Sequence, residues 1–376
     1  MSGNQPVVLV SSCGTSLLTS FATDELRHQL TRLANKSAKG LSPDEKRLID
    51  DCVARAKEKL LGAEDLSAVR KLSAELNGVI SFYQGEMTRG RRDQHYLIHT
   101  DTYQGHRVVK VLREWLTARG VTCTPVPARD LNTASLLAFT SGVQEIIRWC
   151  QDTLPGYRDS GSRIVFNLTG GFKSLQGFLQ TIGAFYADEI VYIFESSQEL
   201  LRIPRLPVKL DIRDAVEKDL QAFRLLGMNY ELDADRCSGI PETLLTKMDD
   251  KAVFSVWGDL VWKQIRKDIY GESLQEPLSR RLKYSARFMK DAAGLPTDRM
   301  FIVNKQLDDL SRCIDENTLH DGPGSLRFKA LEGNPVPGST HEFYAWSDKD
   351  AKRAFGHFEA GEDGRIFVID KLDSHL

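Results

Sequence analysis

The chain lacks several things that would settle its class at once. No apolar run in its 376 residues approaches the roughly 18 that cross a bilayer, so no membrane span is expected. Met1 to Pro6 carries no basic segment leading into a long apolar one, so a secretory signal is not expected and the protein is placed in the cytoplasm. The six cysteines, Cys13, Cys52, Cys123, Cys150, Cys237 and Cys313, contain no C-x-x-C pair, which argues against a disulfide framework and a zinc site. Excess charge is missing too. Fifty Lys and Arg against 52 Asp and Glu give -2, so any RNA contact must rest on a local cluster. There is no internal repeat or low-complexity tract. What is present is an ordinary soluble composition, 41% hydrophobic and 27% charged, at a length that predicts two or three packed units.

Pro6 to Val10 is a short continuous apolar run ending in Ser11-Ser-Cys-Gly-Thr-Ser16, the pattern of a buried parallel strand entering a loop. About eighty mostly helical residues follow, with charged stretches at Lys36 to Arg47 and Glu58 to Arg70 that read as solvated faces. Strands are expected at Tyr96 to His99 and Val121 to Val126, and Asn132 is placed to cap the next helix. Arg163 to Leu168, Thr169-Gly170-Gly171, a helical stripe of Leu175, Phe178, Ile182 and Phe185, and Glu189 to Phe194 make a strand, glycine turn, helix and strand. That unit implies a right-handed crossover, so residues 1–205 are expected to form a doubly wound, Rossmann-like α/β domain.

Pro204 and Pro207 mark a boundary. Residues 206–277 read as a helical connector, either plain or winged helix-turn-helix-like, with stripes at Val216, Leu220 and Phe223 and at Trp257, Val261, Ile265 and Ile269. Residues 278–376 read as an α+β domain. Leu282 to Phe288 alternates like a strand, Val303, Leu307, Leu310 and Ile314 form a helical face, and strands are expected at Leu326 to Leu331, His341 to Trp346, Ala351 to Phe358 and Arg365 to Ile369.

Ligands of doubly wound sheets bind beyond the carboxyl ends of the strands, where two glycine-bearing loops are expected. Glycine lets backbone N–H groups approach a phosphate, hydroxyls add hydrogen bonds, and Lys173 at a helix start adds charge. Neither loop fits G-x-G-x-x-G or the P-loop pattern, which disfavours a dinucleotide cofactor or an NTPase. Spacing alone leaves open that both are tight turns with no ligand. The pair Ser11-Ser-Cys-Gly-Thr-Ser16 and Asn167-Leu-Thr-Gly-Gly-Phe-Lys173 resembles the two ligand motifs of CRISPR-associated Rossmann-fold (CARF) sensor domains. The resemblance implies a homodimer that holds a cyclic oligoadenylate, cyclic tetra-adenylate first, across its two-fold axis. The residues implicated are Ser12, Gly14, Thr15, Ser16, Asn167, Thr169, Gly170, Gly171 and Lys173, with Asp101, Thr102 and Glu195 secondary. Some members of that family cleave their activator, but no residue here announces that ability.

Four of the eight histidines, His320, His341, His357 and His375, fall in the last 57 residues, beside the basic residues Arg327, Lys329, Lys352, Arg353 and Lys371. RNA cleavage without metal needs a base for the 2′-hydroxyl, cations for the phosphorane and an acid for the leaving 5′-oxygen. Residues 280–376 resemble RelE-family toxins, which cut mRNA in the ribosomal A site: Lys329 to Gly333 as the family's turn, Ala351 to Phe355 as its arginine-bearing strand and Arg365 to Ile369 as its last strand. On that register Arg353 is the transition-state arginine, Lys371 a phosphate contact and His375 the C-terminal acid, with Lys329, His341 and Tyr344 completing the candidate site. Two departures stand out. Leu376 replaces an aromatic residue, and 278–376 holds 15 Lys and Arg against 16 Asp and Glu, which makes the ribosome a needed partner. The combination resembles CRISPR-associated mRNA interferases, with mRNA as substrate, no cofactor and no metal. The rival reading is a ligand-responsive DNA-binding regulator. It needs a basic recognition helix, whereas Asp259 to Tyr270 sets Lys263, Arg266 and Lys267 against Asp259 and Asp268.

Overall fold

The computed structural model describes residues 5–129, 131, 136–193, 199–206, 212–319, 321–333, 335–361 and 364–374. It divides into two compact units, Met1–Lys209 and Leu210–Leu376. The first runs, in chain order, β1 (Val7–Ser12), α1 (Ser16–Thr19), α2 (Asp24–Leu33), α3 (Pro43–Leu61), α4 (Leu66–Leu72), α5 (Ala74–Phe82), β2 (Gln94–Thr100), α6 (Tyr103–Thr117), β3 (Thr122–Ala128), α7 (Leu136–Asp159), β4 (Arg163–Asn167), α8 (Lys173–Tyr186), β5 (Glu189–Ile193) and β6 (Leu200–Pro204). Local chemistry sets the ends. The α3 helix opens on a capping box of Ser42 and Glu45 with Pro43 at its first position. The Thr102 hydroxyl starts α6 by accepting from Gly105 N at 3.1 Å.

These strands pair in the order β3-β2-β1-β4-β5-β6, parallel from β3 through β5, with β6 antiparallel at the edge. Val8, Leu9 and Val10 are all buried, as suits a central strand covered on both faces. The chain builds from β1 outward to β2 and β3, then α7 returns it to β4 on the other side of β1. The strand order therefore reverses between β1 and β4, and loops leaving that reversal diverge into a crevice.

The second unit runs α9 (Arg213–Lys218), α10 (Leu220–Gly227), β7 (Leu232–Asp233), β8 (Leu245–Met248), β9 (Lys251–Phe254), α11 (Val256–Glu272), β10 (Leu282–Tyr284), α12 (Ala286–Ala293), α13 (Thr297–Asp315), β11 (Lys329–Ala330), β12 (His341–Trp346), β13 (Lys352–Gly361) and β14 (Gly364–Ser374). A five-stranded sheet, β10-β14-β13-β12-β11, packs one face on Phe288, Val303, Leu307 and Leu310 of α12 and α13. A small antiparallel sheet, β7-β9-β8, accompanies α9 to α11. The segment read as a connector, either plain helical or winged helix-turn-helix-like, thus contains a hairpin, whose strands are too short to show alternation. The 206–277 and 278–376 segments share this one unit. They meet in a buried polar knot, in which Arg224 and Tyr270 both hydrogen-bond Asp308, and Asn304 Nδ2 donates to Tyr270 O and Ser273 O at 2.8 Å each.

Two strand expectations are shortened. The Leu282 to Phe288 run ends at Tyr284 because the Ser285 hydroxyl accepts from Phe288 N at 3.1 Å and starts α12. Leu326 to Leu331 pairs only at Lys329–Ala330, since Arg327 takes a left-handed φ of 42° that no ladder accommodates. Asn132, Glu195, His320, His375 and Leu376 lie outside the described residues. Among the described residues no helix is long and apolar enough to cross a membrane.

Candidate functional site

The two glycine loops leave adjacent strand ends at the β1/β4 reversal, where Ser11 lies in register with Asn167. The Ser12 hydroxyl donates to Gly170 O, joining them directly. Gly171 holds a φ of +107°, and a Cβ there would lie 3.0 Å from Ser12 Cβ. A Cβ on Gly14 would lie 3.0 Å from Gly171 Cα, so close backbone approach favours glycine at 14 and the left-handed φ favours it at 171. The nine sensor candidates are therefore brought together at one place.

They do not all face outward. Glu75, near the start of α5 and only 1% exposed, lies between the loops. Its carboxylate accepts from Gly14 N at 2.8 Å, Ser16 Oγ at 2.6 Å and Ser73 Oγ at 2.7 Å. Its carbonyl accepts from Asn167 Nδ2 at 3.3 Å, and its side chain packs where a Cβ on Gly170 would fall, 2.6 Å away. The donors expected to meet an external phosphate at the first loop are engaged by an internal anion. Half-buried Thr15, Thr169 and Gly171 and exposed Lys173 remain on the outer side. Thr169 Oγ1 is shielded and without a partner among the described residues. Burial, with Glu75 nearby, pushes the Cys13 thiol well up, so it stays protonated in the core. Of the secondary candidates, Asp101 contacts His106 at 2.8 Å, and Thr102 serves as the α6 cap.

In the second unit, cross-strand register assembles the other cluster. Tyr344 lies opposite Arg353, and Lys329 opposite Glu342. Arg353, 6% exposed, donates to Glu342 Oε1 and, at 3.1 Å, to the Tyr344 hydroxyl, with its guanidinium 4.7 Å from the Tyr344 ring centre. Lys329 Nζ reaches the same Glu342 oxygen at 3.0 Å. Glu342 Oε2 and Arg353 Nε are both shielded and without partners among the described residues. Lys371, opposite Phe355 and so one row along this face, donates to Asp373 at 2.7 Å. His341 lies elsewhere. It alternates onto the face of Phe343 and stacks on Phe328 with ring centres 5.2 Å apart, inside an aromatic cluster with Phe358 and Phe367. His357 pairs with Asp370 at 3.0 Å, a structural contact beside a bulge.

Glu75 and Glu342 are the residues that sequence reasoning missed. Glu342 had a signal, a carboxylate inside the largely apolar strand His341 to Trp346. Glu75 had none, because an acid in the first turn of a helix is ordinary.

The first unit is thus a doubly wound sheet with two glycine loops locked together at its strand-order reversal. Residues 70–206, from α4 to the end of β6, match the family model described as CRISPR-associated protein (Cas_APE2256), which indicates a CRISPR-associated protein. No curated protein matches the chain. Among solved structures, the crystal structure of protein VC1899 from Vibrio cholerae aligns over 96% of this chain and 77% of that one, at 9% identity and a TM-score of 0.25, a likeness too slight to bear on function.

Proposed function

We propose that this chain is an ancillary effector of type III CRISPR-Cas defence: a homodimeric CARF-type sensor that binds a cyclic oligoadenylate, with cyclic tetra-adenylate the first choice, and switches on a RelE-like, ribosome-dependent endoribonuclease that cuts mRNA in the A site. The observation that carries the reading is the locking of Ser12 to Gly170 at the strand-order reversal, within a unit most of which matches a CRISPR-associated family. Gly171 and Lys173 offer a backbone N–H and a cation to ligand phosphates, and the shielded Thr169 hydroxyl joins them only when the loop shifts.

For the nuclease, Glu342 supplies the base. Its carboxylate takes the 2′-hydroxyl proton, O2′ attacks phosphorus, and the bond to the 5′-oxygen breaks as that oxygen gains a proton, leaving a 2′,3′-cyclic phosphate. Arg353, steadied by Tyr344, and Lys371 neutralise the phosphorane. His375 is the proposed acid. Both Glu342 Oε2 and Arg353 Nε are covered here, so RNA reaches them only after this face opens. An activator drives that opening through its preference for the open state.

The DNA-binding alternative draws on the β8–β9 hairpin beside α9 to α11. Between β7 and β8, however, the chain forms only two short 3-10 turns, Ala234–Cys237 and Glu242–Leu244, where a groove-reading helix belongs. In α11, Lys263 is paired with Asp259 at 2.7 Å. Translating ribosomes with and without cyclic tetra-adenylate test the main reading: wild type cuts A-site mRNA only with the activator, and Arg353→Ala and His375→Ala do not. Equal cutting by all three proteins rejects the site assignment, and DNA binding that responds to the activator favours the alternative.

A further inference from the structure

Beside the second loop lies a cavity of about 280 Å³, just under the roughly 300–1,000 Å³ of drug-sized pockets. Its floor is two cross-strand pairs of β5 and β6, Ile190 with Ile203 and Tyr192 with Leu201. Directly opposed side chains on neighbouring strands share a face, so these four form one continuous apolar and aromatic platform. The facing wall comes from α8, whose Gln176 and Gln180 stand one turn apart.

Gln176 is held in one orientation. Its Nε2 donates to Leu168 O at 3.0 Å and to Gly170 O at 3.3 Å. Only the NH2 end of a carboxamide can meet two carbonyls, so Gln176 offers the slot its acceptor oxygen alone. Gln180, exposed on the rim, keeps a donor and an acceptor to offer. A planar ring lying on the platform must therefore present a donor to Gln176. Adenine does so with its 6-amino group, set beside a ring-nitrogen acceptor that an amide N–H can meet. A 6-oxo purine sets an acceptor against an acceptor instead.

We propose that this slot takes one adenine base of the ligand whose phosphates the adjoining glycine turn meets. The inference rests on the cyclic oligoadenylate reading and deepens it. Gln176 ties the slot to the carbonyls of Leu168 and Gly170, so the base and phosphate subsites form one body, and adenine specificity comes from a hydrogen bond the loop itself imposes.

Leu201 is 39% exposed, so Leu201→Trp fills the open side of the platform without disturbing the core. Calorimetric titration of wild type, Leu201→Trp and Gln180→Ala uses cyclic tetra-adenylate, 5′-AMP and 5′-IMP as probes. Leu201→Trp is expected to weaken the macrocycle at least tenfold, on the order of one blocked base subsite, and Gln180→Ala about fivefold, the loss of one hydrogen bond. Melting temperatures stay unchanged, and wild type prefers AMP to IMP. Equal macrocycle affinity in all three proteins overturns the slot and leaves the ligand reading standing, while equal AMP and IMP binding overturns the base identity. AMP binding lost in Leu201→Trp, with no macrocycle binding by wild type, overturns the ligand reading and keeps the slot. Binding of neither probe removes both.

Discussion

Each unit is organised around a buried glutamate, and the two are satisfied in opposite ways. Glu75 accepts from a backbone N–H and two hydroxyls, neutral donors that cover both of its oxygens. Glu342 is held by two cations on one oxygen, with the other left bare. A carboxylate satisfied by fixed neutral dipoles is a scaffold: it keeps its place and has no vacant lone pair aimed at chemistry. One with a bare oxygen beside an arginine is equipped to take a proton next to a developing charge. Under the proposed function, the contrast gives Glu75 an architectural part and Glu342 a part in the reaction.

Substitutions sharpen that contrast. The largest effect is expected of Arg353→Ala, about 10²–10³-fold slower mRNA cleavage at unchanged activator affinity, measured on translating ribosomes. A loss of activator affinity instead would show that the residue acts on the fold. Glu75→Ala strands Gly14 N and two hydroxyls and is expected to destabilise the first unit by about 3 kcal/mol in denaturant unfolding. An unchanged midpoint would mean that the loops stand without it. Glu342→Gln keeps shape and loses basicity, so cleavage should fall about 10²-fold, and because it leaves buried Arg353 without its counter-charge the second unit should lose about 3 kcal/mol in denaturant unfolding.

A fourth test concerns acid. His95 sits fully buried at the start of β2, where burial lowers its pKa to about 3. The Tyr83 hydroxyl, 2.8 Å from His95 Nε2, donates to Asp93 at 2.9 Å, and Asp93 in turn accepts from Val7 N at 2.9 Å at the start of β1. Below the ordinary histidine value near 6.5 the unfolded chain binds a proton that the folded one refuses. Stability of the first unit therefore falls as pH drops from about 6.5 toward 3, by about 2 kcal/mol at pH 5. His95→Gln should remove that slope from the unfolding free energy. The smallest effect is that of Lys173→Ala, expected to reduce the dependence of log Kd for cyclic tetra-adenylate on log salt, since one ligand–cation contact is lost. An unchanged slope would place Lys173 outside the ligand contacts.

Much of this was legible in the chain itself. Continuous apolar runs such as Val7 to Val10 and Ile164 to Phe166 have the pattern of buried strands, and glycines at 14, 170 and 171 announce close backbone approach, because period and steric size are local properties. The pairing partners were not local. The strand order that sets Ser11 beside Asn167, and the alternation that turns His341 into an aromatic cluster while Tyr344 and Arg353 share the opposite face, depend on register between distant segments. The burial of Glu75 was decided entirely by tertiary structure, and for Glu342 the chain offered only its place in a largely apolar strand. A glutamate in a first helical turn reads as solvated until the chain folds donors around it, since burying that charge is tolerable only where the folded molecule provides its partners.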